Sequence, residues 1–103
     1  MHSVLIIEDD PITLYVYKSH LEKAGFDVKI ANDGEAAFYI LQKTPPDAIL
    51  LDLMLPRING VEILKTIRAH KDFEAIPVFV FTNLHTSTLA KEAAKAGANR
   101  VFN

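Results

Sequence analysis

Three short apolar runs constrain the fold of this chain more than anything else in it: VLII at residues 4–7, AILL at 48–51 and VFVF at 78–81. Each is continuous rather than alternating, the pattern of strands covered on both faces, as in a parallel sheet. Residues 26–30 and 100–103 are weaker strand candidates. The segments between them carry helical spacing. Leu14, Tyr17, Leu21 and Ala24 recur on one helical face, opened by Asp10-Pro11 and stopped at Gly25. Asn32 with Glu35 has the form of a capping box before Ala36, Ala37, Ile40 and Leu41, and Pro45-Pro46 ends that helix. Val61, Leu64 and Ile67 mark a third helix. Thr86 or Ser87 opens a fourth, with Leu89, Ala93 and Ala96 inward and Gly97 at its end. The order β-α-β-α-β-α-β-α-β implies an α/β fold with helices on both faces of a parallel sheet.

A chain of 103 residues makes one domain, spanning residues 1–103, with no internal linker or repeat. A net charge of −2 gives no reason to expect direct nucleic-acid binding. The absence of cysteine excludes disulfides and thiolate metal sites and fits a cytoplasmic location. No apolar run approaches the ~18 residues of a membrane span, and the start Met1-His2-Ser3 lacks a basic leader.

Chemistry in open α/β sheets gathers at the carboxyl ends of the strands. There the first strand runs into Glu8-Asp9-Asp10, the third into Asp52 and the fourth into Thr82-Asn83. If the first and third strands are neighbours, these acids converge. Clustered carboxylates repel and must shift in pKa or share a cation, and an all-oxygen donor set favours a hard ion such as Mg²⁺. Taken singly, each residue also has a plainer reading. Asp10 reads first as a helix cap, Glu8 and Asp9 as solvated loop acids, and Asp52 as a strand-ending residue. His2, His20, His70 and His85 lack ligand spacing, and Tyr15, Tyr17 and Tyr39 read as helix packing.

Together, the segments VLIIEDDP, PDAILLDLMLPRINGVEIL, IPVFVFTN and AKAGANRVF resemble the response-regulator receiver family, in order and across essentially the whole chain. The resemblance implies a flavodoxin-like, five-stranded parallel sheet of order 2-1-3-4-5. It implies a signalling domain rather than an enzyme. A histidine kinase or phosphotransfer domain would pass a phosphoryl group to Asp52 with the help of Mg²⁺. Asp9 would hold the ion directly, Glu8 through water, and Met54 through its backbone carbonyl. Thr82 would contact the phosphoryl group and switch the region after the fourth strand.

The chain departs from the family pattern in three places. The lysine expected just beyond the fifth strand would follow Asn103, so no phosphate-contacting lysine and no final helix stand in this chain; Lys65, Lys91 and Lys95 are no substitute by motif. Asn83 stands where the family has a small residue. Val101 stands at the switch-aromatic position, with Phe102 beside it on the other strand face. A sheet lacking its last helix is expected to self-associate through the exposed face. Three other functions compete: an interaction module of receiver fold that is not phosphorylated; a flavin or nucleotide domain of the same topology, against which stands the lack of a glycine-rich phosphate loop after the first strand; and an aspartate-nucleophile phosphatase. The last wants a D-x-D pattern after the first strand, where this chain has Glu8 and Asp10.

Overall fold

The computed structural model describes residues 2–53, 60–81 and 87–102. The elements run β1 (Ser3–Ile7), α1 (Pro11–Lys23), β2 (Asp27–Ala31), α2 (Gly34–Lys43), β3 (Ala48–Asp52), α3 (Gly60–Ala69), β4 (Val78–Phe81), α4 (Ser87–Lys95) and β5 (Arg100–Phe102). The sheet is five-stranded, all parallel, in the order β2-β1-β3-β4-β5. The flavodoxin-like order expected from the resemblance is therefore present, and among the described residues no helix follows β5.

The three apolar runs are the three central strands, as their continuity requires. Alternate residues serve opposite faces. Leu5, Ile7, Ile49, Leu51, Val78 and Val80 belong to one core with Leu41 of α2, Val61, Leu64 and Ile67 of α3 and Ala93 of α4. The second face carries Val4, Ile6, Leu50, Phe79, Phe81 and Phe102. Its cover is thinner: α1 has no buried residue. Tyr17 nevertheless packs its ring against Phe81, centroids 4.9 Å apart. Val4, Leu50 and Phe79 line an open apolar trough of ≈ 360 Å³ with Leu21, Phe26 and Phe102.

Local signals hold with two adjustments. Strand β2 begins one residue later than its apolar pattern suggests, at Asp27 opposite Ser3, because the Phe26 N–H still donates to the Leu21 carbonyl in the turn that closes α1. The cap of α2 is Asp33, not Asn32: the Asp33 carboxylate accepts from the Ala36 N–H at 2.8 Å. Both residues are capping types, and only the backbone geometry selects between them. Asp10 caps α1, accepting from the Thr13 N–H at 3.0 Å. No helix among the described residues is long and apolar enough to cross a membrane.

Candidate functional site

Adjacent pairing of β1 and β3 brings their carboxyl ends together, Ile7 opposite Leu51. Glu8 follows directly, its N–H bonded to the Ala31 carbonyl at 3.0 Å, and Asp52 closes β3 opposite Phe81. Glu8 is 1% and Asp52 5% exposed, the buried charged residues of the described chain. Asp9 is exposed above them. One carboxylate oxygen from each of Glu8, Asp9 and Asp52 lies within 4.8 Å of the others. The convergence expected from strand adjacency is thus present for these three residues, and Asp10 turns away to its cap. The Thr13 hydroxyl and N–H hold the Asp10 carboxyl below its usual range.

Glu8 is folded back over its own backbone. Its Oε1 accepts from the N–H groups of Asp9 and Asp10, both at 3.0 Å. Its Oε2 is buried and has no hydrogen-bond partner among the described residues. Burial, first of all, pushes the Glu8 carboxyl up to about 7; the Asp10 N–H opposes that rise, and the neighbouring Asp52 and Asp9 carboxylates add to it. A buried carboxylate oxygen without a donor is costly unless a proton or a cation meets it. The arrangement can therefore bind a metal. Three carboxylates with no nitrogen or sulfur donor suit a hard divalent ion such as Mg²⁺, which accepts few protein ligands and keeps several waters.

Other expected positions fall elsewhere. Met54, Thr82 and Asn83 lie outside the described residues. Val101 is half-buried against the core, and Phe102 faces the opposite side, 45% exposed. Lys65 pairs with Glu62 at 3.7 Å on α3, and Lys91 and Lys95 are exposed on α4. Of the histidines, His20 lies against the Val16 carbonyl and His70 stacks on Phe73.

Gly60 is a residue whose role the sequence alone did not reveal. Its N–H donates to the Leu53 carbonyl at 2.9 Å. A Cβ there would lie 2.5 Å from Leu53 Cα and 2.7 Å from the Asp52 carbonyl oxygen. Only glycine lets the start of α3 rest against the backbone of Asp52 and Leu53 at the end of β3. The glycine stands in the segment LPRINGVEIL, but nothing in one sequence says what it must avoid.

Comparison with known proteins agrees with this fold. The family model described as response regulator receiver domain matches residues 4–103. The DNA-binding dual master transcriptional regulator RpaA of Synechocystis sp. is 38% identical over 84 residues, 82% of this chain and 35% of that protein. The chain spans between 25% and 35% of the length of the first curated relatives it matches. Among solved structures, the Mn²⁺-bound form of response regulator Rcp1 superposes with a TM-score of 0.93 at 28% identity, covering 100% of this chain and 81% of that one. Chemotaxis protein CheY4 of Vibrio cholerae gives 0.90 at 27% identity, covering 98% of this chain and 84% of that one.

Proposed function

We propose a phosphoacceptor function from one premise: the chain belongs to the response regulator receiver family. The observation that carries the proposal is the buried Asp52 carboxylate at the end of β3, with oxygens of Glu8 and Asp9 within 4.8 Å. A carboxylate oxygen of Asp52 attacks the phosphorus of a phosphohistidine. The P–N bond breaks, the electron pair leaves with the imidazole, and an acyl phosphate remains on Asp52. Water later attacks that phosphorus, releasing inorganic phosphate and restoring the carboxylate. The chain contributes position and a dry surrounding more than covalent chemistry.

Asp9 and Asp52 would hold Mg²⁺ directly, with the Met54 carbonyl; Glu8 would do so through water. When bound, the ion neutralises charge on the phosphoryl oxygens. Thr82, with Asn83 beside it, is the contact proposed to carry the new charge into the region after β4. A phosphatase reading fares worse. It needs two free acids after the first strand, whereas Glu8 is bonded back to N–H groups and Asp10 caps α1.

The partner follows from the same reading: a histidine kinase or phosphotransfer domain in the cytoplasm, where phosphoryl groups are drawn from ATP. Its approach is favoured by α1, which starts just after the acidic cluster and exposes Ile12, Tyr15 and Val16. A second copy of the chain is the partner proposed for the apolar trough on the thinly covered face.

Labelled phosphoryl transfer decides the matter. Asp52→Asn, nearly isosteric but unable to form the acyl phosphate, is expected to lose acid-labile label from a phosphorylated kinase or a small acyl-phosphate donor. Label retained at the unsubstituted level overturns the proposal. Partner binding that is identical with and without phosphorylation would favour the interaction-module reading instead.

A further inference from the structure

Arg68, in the last turn of α3, lies at the far end of the molecule from the carboxylates. Its guanidinium reaches two separate segments, one before β4 and one after α4. Nε donates to the Gly97 carbonyl at 2.8 Å. Nη1 donates to the carbonyls of Glu74 at 3.0 Å and Ile76 at 2.7 Å. Nη2 donates to Asn99 Oδ1 at 2.7 Å, and that same oxygen accepts from the Val78 N–H at 2.8 Å. The Asn99 N–H returns a bond to the Val78 carbonyl at 2.8 Å. Partial burial pulls the Arg68 pKa down, yet a guanidinium stays charged, so these bonds to it are charge-assisted.

Gly97 is shaped to this contact. Its φ is +107°, and a Cβ would lie 2.9 Å from Arg68 Cγ. A side chain at that position is excluded both by backbone conformation and by the arginine stem. Among the described side chains of helix α4, Ala93 is buried and Ala96 is packed at the edge of the core. The connection before β4 and the turn after α4 are thus tied together by Arg68, and Asn99 joins the first residue of β4 to them.

We infer that Arg68 is the pivot of α4: it fixes the C-terminal end of the helix, so that rearrangement of α4 is a swing about the Gly97–Asn99 turn rather than a slide along the sheet. The helix follows β4, whose last residue, Phe81, pairs with Asp52. A change at Asp52 therefore reaches α4 from the end opposite the pivot. Only this trigger rests on the phosphoacceptor reading; the pivot does not.

Amide hydrogen exchange on the unphosphorylated chain tests the pivot by itself. Protection should rise along α4 from Glu92 towards Ala98 and Asn99. Arg68→Lys keeps the charge but loses the fork, and should speed exchange at Ala96, Gly97 and Ala98 by about tenfold or more, while Leu5 and Ile49 in the sheet change far less. Asn99→Asp sets a carboxylate against the guanidinium and should slow the same amides, a direction that simple loss of stability cannot produce. An equal acceleration at Leu5 and Ile49, an unchanged rate at Ala98, or faster exchange in Asn99→Asp overturns the inference. If Arg68→Lys does not fold, Asn99→Asp and the unsubstituted gradient still decide it. Failure of Asp52 phosphorylation would leave these rates untouched, so the two proposals fall separately.

Discussion

Glu8 is buried beside two other carboxylates. Its carboxyl titrates at about 7 in the folded chain against 4.5 for the ordinary group, because burial penalises its charge. In the interval between those values the folded chain holds a proton that the unfolded chain has released. Folding stability therefore falls as pH rises from about 4.5 to about 7, and levels off above. With a chelator present, denaturant unfolding should show lower stability at pH 8 than at pH 5. Glu8→Gln should flatten that slope. Mg²⁺ should raise stability at pH 8 more than at pH 5, since protons and the ion compete for the same cluster. A slope unchanged in Glu8→Gln would locate the titration elsewhere. The identity of the acids was plain in the sequence. That Glu8 is folded back and buried, while Asp9 next to it is exposed, depends on backbone direction at the strand end.

At the scale of elements, the site depends on how closely α3 approaches β3. Gly60→Ala would place a methyl against the backbone of Leu53 and Asp52, atoms that cannot step aside without moving β3. Overpacking of that kind costs about 1–3 kcal/mol. The expected result is a lower unfolding midpoint together with weaker Mg²⁺ binding, read by calorimetry and by backbone NMR shifts around Glu8 and Asp52. A variant with unchanged stability and metal response would show that the α3 start can relax freely. The cap of α2 gives a smaller, separate test. Asp33→Ala removes the acceptor of the Ala36 N–H and should cost about 1 kcal/mol, whereas Asn32→Ala should be nearly neutral. Element types were legible from apolar period and punctuation. Their ends were not, because Asn32 and Asp33 are chemically equivalent candidates until the backbone selects one.

For the molecule as a whole, the two faces of the sheet are unequally covered. Among the described residues, one packs against α2, α3 and α4; the other has α1 alone, and leaves Leu50 and Phe79 half-buried and Phe102 exposed. An apolar face of this kind favours association, and β5 presents an unpaired edge beside it. The 103-residue chain is therefore expected to self-associate at tens of micromolar in a two-fold arrangement. Sedimentation at several concentrations measures this. Phe102→Glu should return the chain to monomer, and a clean monomer of the unsubstituted chain would show that the face tolerates water.

The sequence by itself determined the parallel sheet, because continuous apolar runs can be satisfied only when both faces are covered. It also determined which acids end the strands, and the four segments that mark the family. Tertiary structure decided the rest. Adjacency of β1 and β3 put Glu8 and Asp52 side by side, though 44 positions separate them in the chain. Close backbone contact required glycine at position 60. Nothing in the sequence singles out Arg68. It becomes a clamp because the chain returns twice to the same place, once before β4 and once after α4, and leaves carbonyl oxygens there that need a donor.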